Sequence, residues 1–570
     1  MTSGPPAARA TLPVARAVPP VARRRAELAG RAGLAASLAS AVLTFGVAAA
    51  GPSVMEPALP GGVGQPPWSF DLHVPAGLSI GLAAAALALG AAGVGLCLHA
   101  ARHGWAVSPR LLLGAGLIAA AALTLVPPFG SADHLSYAAY GRMAVTGHDP
   151  YTTTPAALAR LGDPVARAVL DWRHSPSVYG SVATGLQALA AEIGHRSVRG
   201  IVFVLSLLNL AAFAGTGLLA HGLAAGRRDR QMRAALLWTA NPLLLQVLVA
   251  GAHVDGLAVC CAVSAVVLFS ISLRYAPRTT HTPAEPQAPV TPEPGPPSAP
   301  MSGRPLRSFL IAAGAGALAG LAFGVKISLV LVPAGLVLAA ALARFQHDRP
   351  RTQPFAVVIT GLLTGFTATA AVSFIPWGFG VLGPALRAGS YVSIGSPWRP
   401  VRSALHLAMP EATADDLVRV GAVILAVALL ALFARPLTAL VRNYQCSPAP
   451  GHNRNPRDEV TLAAAAVLAV VLAWLVAWTY VLPWYDSLVW ALLAMLPWLP
   501  MPWAALDWLV LARTTVLALG YLPARGIALP PGLDWTRTVL RSGVTPVLLL
   551  GTAVLLVVVL RSGGRERIAR

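Results

Sequence analysis

The sequence predicts an all-α polytopic integral membrane protein of about 13 to 14 spans, and three observations predict it. First, 56% of its 570 residues are hydrophobic and only 11% are charged, with a mean hydropathy of +0.66, whereas an ordinary soluble domain carries roughly a quarter charged residues. Second, the apolar residues fall in runs of about the 20 residues a bilayer requires. Third, 42 Lys and Arg outnumber 22 Asp and Glu, but Lys326 is the only lysine and the arginines lie between the apolar runs. The net charge of +20 therefore describes topology rather than nucleic-acid binding, and a water-soluble enzyme is excluded.

In chain order, spans are expected at 31–51, 76–99, 109–128, 198–222, 234–252, 256–276, 308–325, 328–343, 355–375, 418–434, 460–480, 487–499, 503–522 and 544–560. The segment 180–195 is short and polar at its end, which places it at the interface. Under this plan Arg23 to Arg25, the cluster Arg227, Arg228, Arg230 and Arg233, and Arg561, Arg565, Arg567 and Arg570 share one side. Positively charged loops stay cytoplasmic, so both termini are expected there, in a plasma-membrane protein. Arg513 and Asp507, inside one span, offset each other. The basic leader before the first run reads as a retained signal anchor.

Residues 277–305 are dense in proline from Pro277 to Pro300, which disfavours helix and predicts an extended cytoplasmic linker. The expected organisation is a tail at 1–30, an N-terminal membrane half at 31–276, this linker, a C-terminal half at 306–560 and a basic tail at 561–570. Residues 443–459 form a second, shorter polar loop. Cys97, Cys260, Cys261 and Cys446 are scattered, without the spacing of a disulfide framework or a zinc site. No inverted repeat of the kind found in many secondary transporters is visible.

Two long loops, 129–197 and 376–417, fall on the outer side and are richer in Trp, Tyr, Pro, Gly, His and acidic residues than the cytoplasmic segments, so the chemistry is expected to be extracytoplasmic. After Pro127 and Pro128 the chain reads from Phe129 to Arg142 through Ser131, Asp133, His134, Tyr137 and Tyr140. Ser131 is the expected N-cap, and Asp133 then lies in the first helical turn, where the helix dipole favours its carboxylate. Tyr137 and Tyr140 share its face, with His134 and Arg142 on an adjoining one. The alternative is a capping aspartate with an interfacial tyrosine belt. His253 and Asp255 end the fifth span at the same boundary, where ionisable groups are costly and usually functional or paired; a solvated hairpin carboxylate is the alternative.

On this side Arg142, Arg173 with His174, Lys326, Arg387, Arg399 and Arg402 are the cations available to a phosphate. Lys326 interrupts an apolar stretch, where it either snorkels or meets an anionic headgroup. Trp398, Trp484 and Tyr485 either stack on sugar rings or anchor the interface. No cofactor is required by these residues. A divalent cation stays an alternative because Asp133, His134, His148 and Asp149 are close in sequence, although they lack an Asp-x-Asp pair or a one-face histidine spacing.

The stretch Asp133 to Arg142 with Asp149-Pro150-Tyr151, and Asn241-Pro242-Leu243-Leu244 with His253-Val254-Asp255, resembles the actinobacterial polyprenol-phosphate-mannose-dependent α-(1→6)-mannosyltransferases, the MptA and MptB type, with MptB the nearer. The resemblance covers the whole span pattern and implies a GT-C glycosyltransferase fold with catalytic extracytoplasmic loops. It also implies a lipid-linked mannosyl donor, an α-(1→6)-mannan acceptor in lipomannan and lipoarabinomannan assembly, and Asp133 as catalytic base. The C-terminal soluble domain of related arabinosyltransferases is not expected. A nucleotide sugar does not reach the outer face, so a donor carried on a polyprenyl tail fits an outward-facing site, and a β-linked donor would yield the α-linkage by one inversion. The rival readings are a transporter or flippase of a lipid-linked sugar, whose ionisable residues belong near the midplane, and a ligase-like transferase using an oligosaccharide donor.

Overall fold

A computed structural model describes residues 20–62, 64–275, 304–344, 352–445, 457–527 and 529–562. The proline-rich linker lies almost wholly outside them, as do most of the N-terminal tail, nearly all of the basic tail, Cys446 and most of the 443–459 loop. Among the described residues all regular structure is helical.

The long helices are α1 (Pro20–Ala50), α2 (Ala76–Arg102), α3 (Pro109–Thr124), α4 (Asp133–Val145), α5 (Ser181–Gly194), α6 (Val198–Leu223), α7 (Arg228–Leu237) and α8 (Asp255–Tyr275). They continue as α9 (Arg304–Val325), α10 (Leu331–Arg344), α11 (Thr352–Phe374), α12 (Glu411–Gln445), α13 (Arg457–Ala477), α14 (Ser487–Met495), α15 (Ala505–Tyr521) and α16 (Thr545–Ser562). Ten helical segments among the described residues are long and apolar enough to cross a membrane, and the chain is a multi-pass membrane protein. The other four expected spans are the shorter α3, α10, α14 and α15. The segment at 180–195 is α5, short and packed on α4 and α6.

Local chemistry explains the breaks. The span expected at 234–252 is interrupted because Asn241 caps a new turn, its side chain accepting from Leu243 N at 3.1 Å, and Pro242 occupies the first position, where its missing N–H costs nothing. A π-helical turn, Leu245–Val249, follows. Between α9 and α10 the chain leaves α geometry at Lys326 and resumes through a 3₁₀ turn, Ile327–Val330. The span expected at 418–434 begins earlier, since α12 starts at Glu411. Arg513 and Asp507, which balance in the charge count of their span, belong to two separate buried ion clusters. Asp507 takes Arg233 on both oxygens at 2.7 Å and Arg102 at 2.8 Å, while Arg513 goes to Asp486 at 3.1 Å.

Candidate active site

The end of α3 is followed by a turn whose backbone is tied in two places. Phe129 N donates to Ala250 O at 3.0 Å and Gly130 N donates to Met55 O at 2.8 Å. Gly130 takes φ +78°, a left-handed conformation open to glycine at little cost. The first bond holds the start of α4 against the hairpin between the fifth and sixth expected spans, which brings Asp133 beside His253 and Asp255, and the second ties it to the loop after α1. The N-cap position is Ala132 rather than Ser131, but the Ser131 hydroxyl still accepts the Asp133 N–H at 3.1 Å. Farther along α4, Gly141 packs on α5 so closely that a Cβ would stand 2.1 Å from Gln187 O.

Asp133 Oδ2 lies 3.7 Å from His253 Nδ1, which is 3.5 Å from the Tyr137 hydroxyl; Tyr137 in turn accepts from the Tyr179 hydroxyl at 3.4 Å. The His253 ring stacks on Trp484, with centroids 3.5 Å apart. Burial depresses the His253 pKa well below the usual histidine range, and His134 and Lys326 nearby push it the same way, so the ring is neutral. Burial, and secondly the neighbouring Asp255 carboxylate, push the Asp133 pKa up to about 7. Asp255 itself receives Lys326 Nζ at 2.7 Å, and that ammonium sits 3.3 Å from the centre of the Tyr485 ring.

Trp484 and Tyr485 are presented by a short 3₁₀ turn, Pro483–Asp486. Its last residue is fastened inside the bundle, Asp486 accepting from Arg513 Nε at 3.1 Å and Thr514 Oγ1 at 2.9 Å. The opposite loop is laid against this turn, since Ser393 N donates to Thr479 O at 3.2 Å and Val481 N to Ser393 Oγ at 3.3 Å. Gly180 N, donating to Val325 O at 3.0 Å, fastens the start of α5 next to Lys326.

These ties enclose a cavity of about 460 Å³ at one end of the bundle. Asp133, Tyr140, Asp255, Lys326, Trp484 and Tyr485 line it, six of the residues singled out from the sequence. His253 and Tyr137 stand behind them, His253 against Asp133 and Trp484 and Tyr137 against His253. The remaining ones are elsewhere. His134 is fully buried with neither ring nitrogen hydrogen-bonded, and burial, then Arg525, lowers its pKa to about 3, so it is a neutral core residue. Arg142 is committed to Asp163 through Nε and Nη2, both at 3.1 Å. Arg173 and His174 are exposed outside the lining, as is Arg399. Trp398 donates to Ala477 O at 2.7 Å and lies against Gly421 of α12, an anchor between loop and helix. His148 is engaged by Thr146 at 3.2 Å and Asp149 by Tyr151 N at 2.9 Å. Among the described residues no three His, Cys, Asp or Glu side chains gather as metal ligands do.

The lining also holds residues that sequence reasoning did not single out as site residues. Trp172, Tyr179, Tyr391, Trp474, Trp478, Tyr480 and Tyr521 make its wall aromatic. Ser136 adds a buried hydroxyl with no hydrogen-bond partner, and Arg419 adds a second cation. Ser136 was within reach of pattern reading, one turn from Tyr140 on α4; Trp172 and Tyr179 lie in turns later in the same outer loop, and the others come from segments distant in the chain.

Such a pocket suits a polar, ring-shaped ligand: aromatic faces for the C–H surfaces of a sugar, carboxylates for its hydroxyls and cations for an anionic substituent. Residues 30–342 match the family model described as alpha-(1->6)-mannopyranosyltransferase, N-terminal domain. The chain belongs to that family. Asp133, Asp255 and Lys326 all fall inside the stretch that carries the family membership, whereas Trp484 and Tyr485 fall beyond it.

Curated relatives match over shorter stretches. The chain is 31% identical over 134 residues to alpha-(1->6)-mannopyranosyltransferase B of Corynebacterium glutamicum, covering 23% of this chain and 22% of that protein. It is 33% identical over 143 residues to a probable alpha-(1->6)-mannopyranosyltransferase of Mycolicibacterium smegmatis, covering 24% of each. An alpha-(1->6)-mannopyranosyltransferase of Mycobacterium tuberculosis is 33% identical over 148 residues, 24% of this chain and 23% of the relative. The chain thus spans under a quarter of the length of these relatives. An Archaeoglobus fulgidus oligosaccharyltransferase structure aligns with a TM-score of 0.37 and 14% identity, over 77% of this chain and 55% of that one, a likeness too slight to assign a fold.

Proposed function

We propose that this family member is an inverting membrane glycosyltransferase of the GT-C type that moves mannose from polyprenyl-phosphate-mannose to the 6-hydroxyl of an α-(1→6)-mannan acceptor. The observation that carries the reading is Asp133, a partly buried carboxylate whose pKa of about 7 matches a general base at neutral pH, in an aromatic-walled cavity that also holds a lysine. Membership of a family described by that activity supports mannosyl transfer. A role in lipomannan and lipoarabinomannan assembly is part of the same proposal, and it is consistent with relatives named alpha-(1->6)-mannopyranosyltransferases in mycobacteria and a corynebacterium.

In the mechanism, Asp133 removes the proton of the acceptor hydroxyl as its oxygen bonds to the mannose anomeric carbon. The bond from that carbon to the phosphate oxygen breaks, and its electron pair leaves on polyprenyl phosphate. One displacement turns a β-linked donor into an α-linked product, with no sugar–enzyme bond. General-base assistance of this kind contributes about 10²–10⁴-fold, and a cation at the phosphate stabilises the developing charge. The aromatic wall limits water, which would otherwise hydrolyse the donor. The distribution of arginines supports an extracytoplasmic site with both termini cytoplasmic, and two membrane halves joined by the proline-rich segment.

The test is reconstitution of the protein in liposomes with labelled polyprenyl-phosphate-mannose and a short α-(1→6)-mannoside. The expected result is an acceptor longer by one α-linked mannose together with released polyprenyl phosphate. Movement of donor between leaflets with no new product would replace the transferase by a transporter.

A further inference from the structure

The cavity holds two carboxylates, Asp133 and Asp255, and the cations in its lining are Lys326 and Arg419. The charge of Lys326 is already matched: its ammonium is 2.7 Å from Asp255 and faces the Tyr485 ring at 3.3 Å. With Asp133 ionised, that group of three carries one net negative charge, an unfavourable seat for an anionic phosphate. A phosphate entering the cavity therefore needs another cation. Arg541 does not fill the role from the lining, since its guanidinium lies over the Tyr521 ring at 4.3 Å without itself reaching the cavity wall.

Arg419, in the third turn of α12, meets the requirement. Its Nη1 donates to Asp416 at 2.9 Å, an i,i+3 pair in which the side chains are 43% and 67% exposed. Exposed pairs of that kind are weak, so the arginine is readily exchanged to a stronger acceptor. Its Nε is buried and has no hydrogen-bond partner among the described residues, which leaves one edge of the planar fork unused. The cavity also opens beside an apolar strip: Ala385 and Leu386 line it, and Leu386, Phe379 and Ile375 are 68%, 80% and 78% exposed on the outside of the bundle.

We infer that Arg419 binds the phosphate of a polyprenyl monophosphate lipid, exchanging Asp416 for it, while the lipid tail runs along the Ile375 to Leu386 strip. The inference rests on the lipid-donor reading above and adds the residue that recognises its phosphate. Arg419 is thus a binding residue for the leaving group, and Lys326 is chiefly the partner that holds Asp255.

The experiment measures binding of decaprenyl phosphate to the full-length protein in nanodiscs, by displacement of a photoreactive polyprenyl phosphate, beside donor and acceptor KM in the transfer assay. Arg419→Gln is expected to weaken decaprenyl phosphate binding and raise donor KM by about ten- to a hundredfold, the loss of a charge-assisted contact, with acceptor KM unchanged. Arg419→Lys is expected to recover part of the loss. Asp416→Asn, which removes the competing partner, is expected to bind decaprenyl phosphate more tightly than wild type, a result that a merely structural ion pair would not produce. Inorganic phosphate at the same concentration is expected not to displace the probe, because it has no tail. Wild-type binding in Arg419→Gln, with wild-type mannose transfer intact, overturns this inference and leaves the transferase reading standing. Wild-type protein that transfers no mannose and binds no decaprenyl phosphate overturns both.

Discussion

At Asp133 the loss of water and the nearby Asp255 act together, and both favour the neutral carboxyl. A base must be ionised to act, so kcat/KM is expected to fall as pH drops through about 7 and to level off above it; a flat profile between pH 5 and 8 would remove Asp133 from the role. The same shift acts on stability with the opposite sense. A carboxyl whose folded pKa exceeds its unfolded value of about 3.9 stabilises the fold below pH 4, and that contribution is lost as pH rises through about 7. Asp133→Asn is therefore expected to melt no lower than wild type at pH 8 while turnover falls at least about a hundredfold. Retained turnover in that variant sinks the mechanism. Asp133, Asp255 and Lys326 stood out in the sequence because ionisable side chains at a membrane boundary are costly and rarely idle. Arg142 stood out on the same logic, yet its partner Asp163 lies 21 positions away and only the folded loop brings them together.

The helices that present these residues owe their positions to small contacts. α4 meets α5 at Gly141, where a side chain would collide with the Gln187 carbonyl at 2.1 Å, and neither helix backbone yields cheaply. Gly141→Val is expected to push α4 away from α5 and tilt Asp133 out of the cavity. It should lower the melting temperature in detergent and cut turnover together; wild-type values of both would show that the contact does not position the base. Periodicity and length announced the long helices, whose expected ends at 76, 109, 198 and 487 coincide with helix starts. They did not announce the 3₁₀ turn at Pro483–Asp486, since its shape depends on Asp486 being held by Arg513 and Thr514 from another helix. The early start of α12 at Glu411 was hidden by polar residues that a hydropathy reading assigns to the loop, while Arg419 lay just inside the expected span at 418–434 and was not singled out there.

Across the whole molecule the two ends of the bundle differ in kind. One holds the cavity. The other holds Arg233, fully buried and paired on both nitrogens with Asp507, with Trp498 stacked under it at 4.8 Å and Arg102 beside it. Asp507 and Tyr521 stand at opposite ends of α15, about 21 Å apart at the helical rise per residue. Asp507→Ala is expected to cost about 3–5 kcal/mol of stability, because it strands buried guanidinium charge. Turnover per folded molecule should change little, and a selective loss of turnover with normal melting would tie this cluster to the site. For orientation, a background with every cysteine replaced by serine is the starting point, since Cys97 is buried and Cys260 and Cys261 are partly so. Arg173→Cys in it is expected to react with a membrane-impermeant maleimide on intact cells, and Arg228→Cys only after permeabilisation. The reverse pattern would place the cavity in the cytoplasm.

Hydrophobic length and the spacing of arginines were enough to read the helical membrane character, the order of the spans and the boundary where the acids collect, because burying apolar side chains in lipid is a local demand that each segment meets alone. Which acids, cations and aromatics share one cavity was decided by packing among α4, α8, α12, α13 and the turn before α14. Those side chains are up to several hundred residues apart, and the Lys326–Asp255 pair forms only where two helix ends converge. Charge has no meaning for chemistry until its partner is known, and the partner is a property of the folded chain.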